Sequence, residues 1–205
     1  MAEPAVHELV KSDPDVEVVW RAFELRPEPV PTLDPNGDYL QRAWSTSVYP
    51  LAESLGVTMK LPPVQPRTRR AHEAAYWARS QGRFNDYHAQ IFRAFFERGE
   101  DISEVDVLTS LARKSELDGD ALREALKTHE FEKSVLDDEQ AAARLGVTGV
   151  PAFLANRRAT LGGVRPVEHL KQLVEKVRRL QPAIAGDSIK PGVERSETPG
   201  TGDLK

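Results

Sequence analysis

Cysteine is absent from all 205 residues, which removes a cystine framework, a thiolate nucleophile and thiolate metal ligation from the chemistry open to this chain. Long apolar runs are also missing. Nothing approaches the roughly 20 residues that a membrane-spanning helix requires, and Met1 to Val10 holds charged Glu3 and Glu8 where a leader peptide would have an apolar core. The expectation is a cytoplasmic protein with no membrane partner. A strong charge of one sign is lacking too: 28 Lys and Arg stand against 32 Asp and Glu, a formal net charge of -4. Phosphate backbones are not attracted by such a balance, so nucleic acid is not an expected partner. No HExxH pair, P-loop, Gly-x-Ser-x-Gly elbow or dinucleotide fingerprint occurs. No metal and no cofactor are therefore expected.

The composition that remains, 40% apolar and 29% charged, is that of a globular protein able to bury a core without staples. Its length suits one domain, or one domain with a sizeable insertion. Helix-like spacing over Pro4 to Lys11 is broken by Ser12-Asp13-Pro14-Asp15. Val16 to Phe23 is rich in valine and aromatics and predicts a strand. Pro27, Pro29, Pro31 and Pro35 give a connecting loop, and a helix is predicted over Tyr39 to Leu55, ended by Gly56.

From Arg70 the pattern is helical for about seventy-five residues. Ala71, Ala74, Ala75 and Ala78 share a face narrow enough for close helix approach, and Phe84, His88, Ile91, Phe92 and Phe95 form an apolar stripe. Ser103-Glu104-Val105-Asp106 resembles a capping box, Asp118 is a candidate N-cap, and a last long helix ends at Gly146. Asp137-Asp138-Glu139 reads as exposed helix surface, and Arg67, Arg69 and Arg70 as a solvated basic face. Val150-Pro151 then marks a strand entrance, because proline has no N–H to give a central ladder. Two short strands around a basic turn at Asn156-Arg157-Arg158 predict a hairpin, followed by a terminal helix after Pro166. Residues 181–205 have the composition of a disordered tail.

Leu145-Gly146-Val147-x-Gly149-Val150-Pro151-x-Phe153 resembles the proline loop of DsbA-like thioredoxin-fold proteins. Val18-Val19-Trp20-Arg21-Ala22-Phe23-Glu24-Leu25-Arg26-Pro27, Ala71-His72-x-Ala74 and Phe92-x-Ala94-Phe95-Phe96 are similar, in order, to later signatures of the branch that includes FrnE and 2-hydroxychromene-2-carboxylate isomerase relatives. The resemblance spans most of residues 5–180. It implies an α/β, thioredoxin-like fold with an inserted all-helical domain: residues 1–35 and 146–180 form the discontinuous thioredoxin-like part and residues 36–145 the insert.

The same resemblance implies thiol-disulfide exchange as the family function, and a departure from it. Family members begin with a strand followed by Cys-x-x-Cys at the start of the first helix, and this chain begins inside that helix. The first β-strand is missing and no catalytic residue can be assigned, so the chain as written is expected to be redox-inactive. An upstream start before Met1 and a shortened, binding-only protein both account for this. The family's substrate groove transfers to Thr148, Gly149, Val150 and Pro151, with His72 as a further candidate lining residue, although a histidine so placed is more often a packing residue. A protein or peptide substrate is the expected partner. Glutathione is the alternative, through the related isomerases and kappa-class transferases, whose serine would also lie in the missing segment. A non-catalytic peptide-binding module is the third reading.

Overall fold

The structure, a computed structural model, describes residues 1–180; the predicted disordered tail lies outside these. Helix α1 (Glu3–Ser12) opens the chain. After a long irregular stretch come α2 (Asp38–Ala43) and α3 (Tyr49–Ser54), joined without a break by a π-helical turn at Trp44–Val48. The reason for that turn lies in the sequence. Pro50 lacks the N–H that an α-helix would use there, and the wider π turn absorbs the fault, with the Tyr49 N–H bonding to the Trp44 carbonyl.

Five helices form the bundle: α4 (Arg69–Ser80), α5 (Phe84–Phe96), α6 (Val105–Lys114), α7 (Gly119–Lys127) and α8 (Glu132–Arg144). Helix α4 touches each of the other four. Its alanine stripe explains this central place, since Ala71, Ala74, Ala75 and Ala78 are all buried and let neighbouring backbones approach. Around them pack Tyr87, Ile91, Leu108, Leu111, Leu122 and Leu126. Asp118 caps α7 as predicted, accepting from the N–H groups of Asp120 and Ala121. Ser103 does not cap α6. Its N–H and hydroxyl both go to the Asp101 carboxylate, and Glu104 takes the cap position with no side-chain bond.

The second core is smaller. Val6 and Leu9 of α1 meet Val167 and Leu170 of α9 (Val167–Leu180), and Val16, Trp20, Phe153 and Leu161 close over them. Asp13 and Arg178 tie the two helices by a forked ion pair at 2.7 and 2.9 Å. Strands β1 (Ala152–Ala155) and β2 (Ala159–Gly162) pair antiparallel, Phe153 opposite Leu161. Asn156 and Arg157 both have positive φ and the Arg158 N–H returns to the Ala155 carbonyl, the geometry of a type I′ turn that suits the twist of a hairpin.

Among the described residues the sheet has these two strands alone, a thioredoxin-like core with an inserted helical bundle and without a first strand. The predicted strand at Val16 to Phe23 does not form. Its valine-rich composition favours a pleated ladder, but no strand lies beside it, and side chains hold its backbone instead. The Trp20 carbonyl accepts from Arg79 at 2.7 Å, and the Ala22 N–H donates to Asp138 at 2.8 Å.

Candidate functional site

Helix α8 delivers the chain to the proline corner through a double C-terminal closure. Gly146 takes φ of +69°, its N–H bonds to the Ala143 carbonyl, and the Val147 N–H reaches back to the Ala142 carbonyl. Thr148 and Val150 are exposed, the latter by 51%, while Gly149 and Pro151 are half-buried. The Val150–Pro151 peptide bond is cis. The Pro151 carbonyl accepts the Gly163 N–H at 2.8 Å, which sets the register of the hairpin that follows.

That register decides what the corner offers. Pro151, Phe153 and Ala155 stand opposite Gly163, Leu161 and Ala159, so their main-chain groups face β2, and those of Ala152 and Leu154 point to the other edge. No strand covers that edge among the described residues. Phe153 packs inward, while Val150 and Leu154 remain exposed. The result is a short open strand edge flanked by apolar side chains, a template for extended main chain.

His72 lies elsewhere. It is half-buried on α4 against the Phe23 backbone, with Glu24 and Asp138 close by, and burial holds its imidazole below the ordinary range. No contact joins α4 to β1 or β2. The structure thus brings Thr148, Gly149, Val150 and Pro151 together by chain continuity, and places His72 behind residues 20–26.

Around His72 sits a polar cluster that reads in the sequence as two solvated faces. Asp138 is buried and accepts from the Ala22 N–H, the Tyr76 hydroxyl and Arg21. Glu24, with its side chain 3% exposed, pairs with Arg69, which also faces Glu132 and Glu139 at 3.6 Å each. Of Asp137-Asp138-Glu139 only Asp137 is exposed as expected, while Asp138 is buried and Glu139 half-buried, and Arg69 is not a free cation. A signal was present: Asp138 stands three residues after fully buried Val135, on the same helical face.

Chemically, the corner holds no thiol and no hydroxyl nucleophile paired with a base. Among the described residues no group of three His, Asp or Glu side chains is placed to hold a metal ion, and no helix is long and apolar enough to cross a membrane.

The profile of the DSBA-like thioredoxin domain matches residues 1–175. The chain belongs to the DsbA-like family. The uncharacterized protein YwbO of Bacillus subtilis is 37% identical over 160 residues, 75% of this chain and 78% of that one. The fold is shared with a probable DsbA oxidoreductase from Streptomyces coelicolor, at a TM-score of 0.77 and 22% identity, covering 97% of this chain and 93% of the other. A 2-hydroxychromene-2-carboxylate isomerase structure gives a TM-score of 0.67 at 18% identity, with 87% and 88% covered. For this DsbA-like chain those two likenesses establish architecture, and the absence of cysteine from it argues against dithiol catalysis.

Proposed function

We propose that residues 1–205, as they stand, make a redox-silent DsbA-like binding module that takes an extended protein or peptide segment along the open edge of β1. The observation that carries this reading is the pairing of that free edge, at Ala152 and Leu154, with a sequence that has no cysteine to perform exchange. Thr148, Gly149, Val150 and Pro151 form the approach. Residues 16–25, backed by His72, form the facing flank, since Trp20 and Phe153 border the same apolar cluster. The discontinuous unit of residues 1–35 and 146–180 carries the groove, and residues 36–145 supply its support.

Main-chain pairing gives such a site affinity with little sequence demand, and exposed Val150 and Leu154 favour apolar side chains at alternate positions. The test is binding of an unstructured apolar decapeptide by fluorescence anisotropy. Binding that is lost on N-methylation of alternate peptide amides, and weakened by Val150→Glu with folding unchanged, supports the reading. Binding indifferent to both changes overturns it. Insulin disulfide reduction by the same chain should be blank. A thermal shift produced by glutathione and by no peptide would favour the isomerase-like alternative.

A further inference from the structure

Arg69 faces more carboxylate than it can neutralise. Glu24 from the 20–26 segment pairs with its Nε, and Glu132 and Glu139 of α8 stand 3.6 Å from its two terminal nitrogens. Glu132 is 43% exposed and keeps its water, whereas Glu24 is 3% and Glu139 21% exposed. Oε1 of Glu139 is buried, and no donor reaches it. A buried carboxylate oxygen without a donor, sharing one guanidinium with a second, buried carboxylate, is a costly arrangement unless one of the two carries a proton.

We propose that Glu139 carries a proton that it donates to Glu24 beside Arg69, and that loss of this proton to solvent loosens the seat of residues 20–26 on α4 and α8. The charges agree. Burial, and then the adjacent Glu24 carboxyl, push Glu139 up to about 7, with Arg69 and the Glu24 backbone acting the other way. The other charged or titratable groups around this seat are Arg67, which donates to the Arg26 carbonyl, His72, buried Glu73, Tyr76 and Arg79 of α4, Asp138 and Glu132 of α8, and Arg21 on the segment itself. Burial holds His72 neutral at neutral pH, so it does not supply a compensating cation.

The sign follows from linkage. A carboxyl whose folded pKa lies above its ordinary value stabilises the folded arrangement fully below that ordinary value, and the contribution fades as pH rises toward the folded pKa. For Glu139 the window runs from 4.5 to about 7. The segment concerned carries Trp20, which borders the same apolar cluster as Phe153 of β1, so loosening it changes the flank facing the strand edge. The inference does not depend on the binding reading, because it concerns the seat and not the ligand.

The experiment follows amide hydrogen exchange of Ala22, Phe23 and Glu24 in the full chain from about pH 5.5 to about pH 8, corrected for intrinsic rates, with the Leu108 to Leu111 amides as internal reference. The expected result is a loss of relative protection on the order of tenfold across that range. Glu139→Gln, which keeps a permanent donor, should abolish the loss. A second measurement needs no variant: the carboxyl carbon of Glu139, followed by NMR in glutamate-labelled protein, should titrate near 7. An equal loss in Glu139→Gln, flat protection in the unaltered chain, or a Glu139 midpoint at an ordinary carboxylate value each overturns the proposal.

Discussion

The Asp138 carboxylate accepts the main-chain N–H of Ala22 at 2.8 Å across 116 residues of sequence. A buried side chain on the helical bundle thereby does for the 16–25 segment what a neighbouring strand does in a complete sheet. Removing it strands the Ala22 N–H and the Tyr76 hydroxyl together. Asp138→Ala should cost about 2 to 4 kcal/mol in chemical denaturation, whereas Arg21→Ala, on a side chain 62% exposed, should cost at most about 1 kcal/mol. Equal effects would mean that the ion pair, not the buried hydrogen bonds, holds the segment.

His88 should make the protein acid-sensitive. It lies in the aromatic row of Phe84, Phe92 and Trp20, and burial, then neighbouring His72 and Arg79, push it down to about 4. A base with a depressed folded pKa gives stability that is complete above its ordinary value and is lost as pH falls toward the depressed one. The window here is 6.5 down to about 4. Imidazole NMR should show His88 neutral near pH 5, and His88→Phe should flatten the acid limb of a Tm-versus-pH curve. Charging of His88 at an ordinary histidine value would contradict this.

The alkaline side is governed by tyrosine. Tyr87 is fully buried and donates to the Leu108 carbonyl at 3.0 Å, and burial raises its phenol above the ordinary range; Tyr76 is raised by burial and by Asp138. Stability from both is present below the ordinary phenol pKa and is lost as pH climbs beyond it. A spectrophotometric titration should therefore show Tyr76 ionising above the ordinary phenol range and the fully buried Tyr87 only together with unfolding. Tyr87→Phe should cost about 1 kcal/mol by removing the buried hydroxyl's bond to the Leu108 carbonyl.

The hairpin turn carries a correctable fault. Arg157 holds a left-handed φ of 56°, a region costly for any residue with a Cβ. Arg157→Gly should stabilise the protein by about 0.5 to 1 kcal/mol in urea denaturation. A destabilising result would mean that the arginine side chain contributes more than its backbone costs.

These relationships separate what was legible in the sequence from what was not. The alanine stripe of α4, the Asp118 cap, the Gly146 terminus and the strand entrance at Val150-Pro151 depend on residues within one or two turns of each other, and sequence spacing shows them directly. The strand expected at Val16 to Phe23 failed because a strand is a property of two partners, and composition reports only one. The Ser103 capping box failed to a competitor two residues away, Asp101. The polar seat of residues 20–26 escaped notice because Glu24, Arg69 and Glu139 are joined only by the tertiary fold, and charged triplets on helices are ordinarily solvated.

The claim on which the functional account rests is that the outer edge of β1 pairs with extended chain while no redox chemistry occurs. Hydrogen exchange of the Ala152 and Leu154 amides, measured with and without the apolar decapeptide, addresses it directly. The account predicts that both amides gain protection on peptide addition while insulin stays unreduced; unchanged exchange at both positions under saturating peptide, or reduction of insulin by this cysteine-free chain, would contradict it.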